Sequence, residues 1–190
     1  MKLFLPCIFL IFSAAANNVQ YFEEIEDNRT QRDHVRLKSF SWMNCGDPSK
    51  SSIVAKSLTV TPDPIQTPGS VNIGFQLTVN TDVNSPLQAD LVLYKKLENQ
   101  WVKIPCLGFL GSCHYDDLCE LLDMISDCPE PIVSSGLSCY CPFKTGNYNM
   151  PSSEFDINVE VASGDYHAVG NATSNGKPAG CLDLYLSFSE

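Results

Sequence analysis

Catalytic or metal chemistry in this chain would have to come from three histidines, nine cysteines and one run of carboxylates. His34, His114 and His167 lie far apart, and none sits in an H-E-x-x-H pattern. There is no G-x-S-x-G nucleophile turn, no phosphate-cradling glycine loop and no dinucleotide fingerprint. Asp116, Asp117, Glu120 and Asp123 could in principle supply the acid and base of a glycosidase. They fall on the polar side of a short helical stretch, where solvation accounts for them. His114, beside Tyr115 and Asp116, reads as a helix-start residue and not as a base. The residues therefore argue against an enzyme and call for no catalytic residue, no metal and no cofactor.

The cysteines carry a different message. Residues 1–16 read as a secretory signal peptide: Lys2, an apolar run from Leu3 to Phe12, then Ala14-Ala15-Ala16 as the cleavage site. The run is too short to span a bilayer and contains Pro6. Cys7 leaves with the signal, and the eight remaining cysteines form an even set for an oxidising compartment. Cys139-x-Cys141 and the wide, irregular gaps elsewhere are not the paired knuckles of tetrahedral zinc. Four disulfides are expected, formed in the secretory pathway.

The formal net charge is −10. Loss of Lys2 would leave 11 basic against 22 acidic side chains. That excess excludes nucleic acid, whose binding rests on neutralising phosphates. Residues 17–38 are polar and without apolar period, a leader or propeptide. Asn28 and Asn171 head the two glycosylation sequons.

The elements that must position any site are strands. Val71, Ile73, Phe75, Leu77 and Val79 alternate with polar neighbours, and so do Phe155, Ile157, Val159 and Val161. Leu182, Leu184, Leu186 and Phe188 repeat the pattern. Ala89 to Tyr94 reads as apolar on both faces, and Glu98-Asn99-Gln100 turns it into a strand beginning at Trp101. Pro62-Asp63-Pro64 marks an edge or a turn. Tyr115 to Ile125 predicts one helix, with Leu118, Leu121, Leu122 and Ile125 on a face, and Pro129 and Pro131 forbid its continuation. Residues 39–190 thus form one mainly β domain: an antiparallel sandwich or cup of about eight strands with one short helix. Alternation alone favours a sealed core, and with it a disulfide-rich interaction module, over a container.

Segments in a fixed order across residues 39–190 carry a family likeness. They include FSWMNC at 40–45, SLTVTPDPI at 57–65, SPLQADLVLYK at 85–95 and WVKIPC at 101–106. CELLDMI at 119–125, GLSCYCPFKTGNY at 136–148 and SGDY at 163–166 continue the order, and together the segments resemble the ganglioside GM2 activator family of lysosomal sphingolipid activators, related to the ML-domain lipid binders. The resemblance implies a β-cup around an apolar lipid cavity, with disulfides Cys45–Cys181, Cys106–Cys113, Cys119–Cys141 and Cys128–Cys139. It implies a non-enzymatic carrier that lifts a glycosphingolipid, or another two-tailed lipid, from a membrane surface and presents it to β-hexosaminidase A. The strand residues Ile73, Phe75, Leu77, Val79, Leu91 and Leu93 would line the cavity, with Trp101, Ile157, Val159, Leu184 and Leu186. The cysteine-rich segment would frame the site without forming it. Two family features differ: the loop before Trp101 is polar, and the interval between Phe155 and Tyr166 is short and lacks tryptophan.

Overall fold

A computed structural model describes residues 39–108 and 110–190. The expected signal peptide and polar leader, with the Asn28 sequon, lie outside the described residues. Ten strands and two five-residue helices follow in order: β1 (Ser41–Asn44), β2 (Ile53–Thr61), β3 (Ile65–Gln66), β4 (Gly69–Val79), β5 (Leu87–Leu97), β6 (Gln100–Lys103), β7 (His114–Tyr115), α1 (Leu118–Leu122), α2 (Glu130–Ser134), β8 (Gly146–Ile157), β9 (Gly164–Ser174) and β10 (Lys177–Ser189).

The strands form two sheets. The larger runs β1-β10-β9-β5-β6, with β3 added to β10 and β7 to β5; the smaller is β2-β4-β8. All pairings are antiparallel except β3 with β10. Two-residue turns set two registers: Glu98-Asn99 joins β5 to β6, and Asn175-Gly176, both at positive φ, joins β9 to β10. The inward faces of the sheets meet in one apolar cluster. Val71, Phe75 and Met150 of the small sheet face Leu184, Leu186 and Phe188 of the large one. A second, smaller cluster gathers Val83, Leu87, Leu122 and Phe143 around Cys119.

Several expectations shift for local reasons. The count rises above eight because β3 and β7 pair over two residues each. β8 begins at Gly146 and stops at Ile157, so Val159 and Val161 lie beyond it. Its polar first half hides in the sequence, and Pro151 is tolerated because β8 is an edge strand with a bulge, where Met150 pairs Phe75 and Ser153 pairs Ile73. Opposite that bulge, a side chain on Gly74 would come within 2.8 Å of Thr59 Oγ1 and 3.1 Å of the Ser152 amide. β5 is not buried on both faces: Leu91 and Leu93 are buried, while Asp90 and Val92 face outward. His114 and Tyr115 do not start the helix; they pair Asp90 and Ala89 as a strand. Pro131 does not merely block a helix. It sits in the first turn of α2, where a missing N–H costs nothing.

All four expected disulfides are present: Cys45–Cys181, Cys106–Cys113, Cys119–Cys141 and Cys128–Cys139. Asp117 is more than a solvated carboxylate. It caps α1 through the Cys119 amide at 2.9 Å, accepts the Leu87 amide at 2.9 Å and takes a hydrogen bond from Ser85 Oγ. Partial burial works against its charge, yet these three donors hold its carboxyl below the ordinary range. One side chain thus fixes both the short helix and the start of β5.

Candidate functional site

Side-chain size falls along the inward faces of the strands. On β9 the inward residues run Tyr166, Ala168, Gly170, Ala172. On β10, read backwards, they run Phe188, Leu186, Leu184, Leu182, Gly180. Register places Ala89, Ala172 and Gly180 side by side across β5, β9 and β10. Three neighbouring strands therefore present almost no side chain at one end of the cup, and a side chain on Gly170 would meet no atom within 4 Å.

The result is an apolar cavity in two adjoining lobes. The larger, about 320 Å³, lies over this small-residue end, and Leu87, Leu91, Leu118 and Phe143 complete its wall. That volume falls at the lower end of the range for small-molecule sites, about 300–1,000 Å³. The smaller lobe, about 190 Å³, lies between β2, β4 and the segment following α2, with Leu58, Phe75, Ile132 and Cys139 in its wall. Ala55, Leu77, Leu137 and Leu182 belong to both. Polar groups at the wall are mostly satisfied. The Asn44 side chain donates to the Ala55 carbonyl at 2.9 Å and accepts the Ala55 amide at 3.1 Å, closing β1 onto β2 like an extra rung.

Of the eleven strand residues expected to line the cavity, Phe75, Leu77 and Leu91 do so. Ile73, Leu93, Ile157, Leu184 and Leu186 are buried in the main apolar cluster between the sheets; Val159 packs against that cluster, and Val79 is buried at the end of β4. Trp101 is on the other side of the sheet. It is 39% exposed and meets His167 and Tyr185 edge-on, each at 5.9 Å. The physical reason is register: Trp101 pairs Lys96, on the face opposite Leu91 and Leu93. His167 stacks on Tyr185 at 4.1 Å, and its Nε2 lies 2.9 Å from Asp183. The cysteine-rich segment, expected only to frame the site, supplies part of its wall through Leu118, Leu122, Leu137 and Phe143. Sequence reasoning passed over the alanines and glycines, because alternation scores apolar residues and ignores their size.

Asn171 points outward from β9, exposed beside Asp90 and Cys181. His114 Nδ1 lies 2.8 Å from Asp90 and Nε2 3.5 Å from Asp116, and the hydrogen bond with Asp90 raises the imidazole above its ordinary pKa. These groups are on the surface. Among the described residues no cluster of histidine, cysteine and carboxylate is placed to hold a metal ion, and no helix is long and apolar enough to cross a membrane.

Two packed sheets, four disulfides and an apolar hollow between them define a class, and comparison with known proteins names it. The ML domain family matches residues 39–188, and the chain belongs to that family. Within it, the chain is similar to the ganglioside GM2 activator of Macaca fascicularis, 41% identical over 162 residues, with 80% of this chain and 85% of the relative covered. The ganglioside GM2 activator of Mus musculus is 39% identical over 162 residues, covering 80% of this chain and 83% of the relative. Among solved structures, a Niemann-Pick type C2 protein from Japanese carpenter ant aligns at 13% identity over 78% of this chain and 99% of its own, with a TM-score of 0.43.

Proposed function

We propose that this protein is a non-enzymatic lipid-transfer activator. It binds a glycosphingolipid of the GM2 ganglioside kind with its hydrocarbon chains in the apolar cavity, draws it from a membrane and presents the headgroup to β-hexosaminidase A. The observation that carries this is the hollow itself, an apolar cavity in a fold whose core could have been sealed by a few larger side chains. The need for such a carrier is large. A ceramide of roughly 30 methylenes costs on the order of 24 kcal/mol to expose to water, at about 0.8 kcal/mol each. A hydrolase in solution cannot wait for that escape, and a cavity that replaces the bilayer removes most of its cost.

The β5–β6 hairpin supports transient contact with a membrane surface. Leu97, Trp101 and Val102 are exposed on it, and Lys103 is exposed beside them. Apolar and aromatic groups with lysine at their margin suit the headgroup boundary of an anionic bilayer. The four disulfides support a secreted or lysosomal location, and the outward Asn171 side chain is open to an N-glycan.

The test mixes the purified protein with vesicles carrying labelled GM2 at acidic pH. A soluble protein–lipid complex and faster cleavage by β-hexosaminidase A are expected; neither appearing would sink the proposal. A second version, a carrier of another two-tailed lipid, is favoured by the polar hairpin tip Glu98-Asn99. Mass spectrometry of lipid co-purifying with the protein separates the two, and gangliosides alone would count against the second.

A further inference from the structure

Leu137 lies where the two lobes of the cavity adjoin, and the fold takes unusual care to place it. Leu137 follows Gly136, which leaves α2 at φ 81° and donates its amide to the Val133 carbonyl at 2.9 Å. A residue with a side chain is strained at that φ, so glycine is what lets the chain turn inward there. The Leu137 amide donates to Ser135 Oγ at 3.3 Å, and Ser135 Oγ donates to the Ile132 carbonyl at 2.6 Å. Two nested disulfides, Cys119–Cys141 around Cys128–Cys139, bracket the segment. Leu137 lines both lobes and packs against both apolar clusters. The other residues common to the lobes, Ala55, Leu77 and Leu182, all come from the sheets. Leu137 alone enters from the disulfide-bound loop.

We propose that Leu137 is a specificity-determining partition, seating one hydrocarbon chain of a two-chain lipid in each lobe. This rests on the proposed lipid-carrier function and deepens it by naming the ligand class: unbranched two-chain lipids over single-chain or branched ones. A free acid or lysolipid can fill one lobe and must leave the other empty. A two-chain lipid straddles Leu137 and gains the burial of both walls. Methyl branches on either chain add bulk beside the divider. The staples on either side give the partition its value, since a divider that swung away would discriminate nothing.

The experiment compares palmitoyl-lysophosphatidylcholine, dipalmitoyl-phosphatidylcholine and diphytanoyl-phosphatidylcholine, which share a headgroup and differ only in chains. Leu137→Trp closes the junction. It is expected to weaken dipalmitoyl binding at least tenfold while changing lysolipid binding less than threefold. An equal loss for both probes overturns the partition. Leu137→Ala removes the divider and keeps the smaller side chain compatible with folding. It is expected to raise the affinity for the diphytanoyl probe relative to the dipalmitoyl probe at least tenfold, and an unchanged ratio overturns the partition. Failure of the wild-type protein to bind any of the three lipids would instead overturn the lipid-carrier function on which the partition rests.

Discussion

The two ends of the cup are built from the same strands and solved differently. At one end Val71, Tyr166 and Phe188 interlock, with Val71 and Phe188 almost wholly buried and Tyr166 meeting Phe188 edge-on at 5.4 Å. Burial there pushes the Tyr166 hydroxyl up to about 12, while it donates to the Ala162 carbonyl at 2.7 Å. At the other end Ala89, Ala172 and Gly180 leave the space open. The filled end is held by packing. The hollow end gives up that packing, and disulfides stand around it: Cys181 and Cys139 contribute to its walls, and Cys119 follows the wall residue Leu118. A hollow removes apolar contacts that would otherwise stabilise the fold, and covalent closure is the natural offset.

The largest expected effect comes from breaking that closure. Cys45–Cys181 joins residues 136 apart, and the chain-entropy model gives about 5 kcal/mol for so long a loop. Cys181→Ser should abolish secretion of folded protein, measured by its yield in the medium; normal yield and thermal stability would show that the hollow end does not depend on its staple. Next is Phe188→Ala at the filled end, expected to cost about 3–5 kcal/mol in denaturant unfolding. A cost under about 1 kcal/mol there would erase the contrast between the ends.

Two glycines sharpen it further. Gly74→Ala pushes a side chain against Thr59 and the Ser152 backbone and should cost about 1–3 kcal/mol. Gly170→Leu points into open space, so stability should hold while lipid binding falls at least tenfold. Loss of stability with binding intact would mean that the space at Gly170 is not the lipid's.

The smallest effect is a surface tie near the cavity's closing loop. The hydrogen bond from Lys144 at 2.9 Å, with those from Thr145, holds the Asp82 carboxyl at about 2, down from 3.8. A depressed folded-state value means the tie contributes above about pH 4 and is lost as pH falls towards 2. The Tm gap between wild type and Asp82→Asn should therefore stay constant from neutral to mildly acidic pH and close below it. A gap that widened in acid would contradict the assignment.

Strand alternation was enough to read the sandwich, and β4 and β10 lie where Val71 to Val79 and Leu182 to Phe188 placed them. The hollow was not legible that way. Alternation tells which face a residue takes and says nothing of what stands opposite, so Ile73 and Leu77 look alike although Ile73 is 4% exposed in the core cluster and Leu77 lines the cavity. The useful signal was the decline in size from Tyr166 to Ala172 and from Phe188 to Gly180. It acquires meaning only once register sets those residues side by side. Trp101 was placed at the cavity by the family resemblance, and pairing with Lys96 turns it outward. Asp117 looked like one acid among four because capping depends on where the helix starts, and the helix starts three residues later than Tyr115.

The central claim is that lipid enters the hollow end and leaves the filled end untouched. Methyl NMR of the protein titrated with dipalmitoyl-phosphatidylcholine tests this most directly. Shifts at Leu77, Leu91 and Leu182, with Val71 and Ile157 unmoved, are the predicted result. Shifts at Val71 and Ile157, or at outward-facing Val92 and Val169 alone, would contradict it.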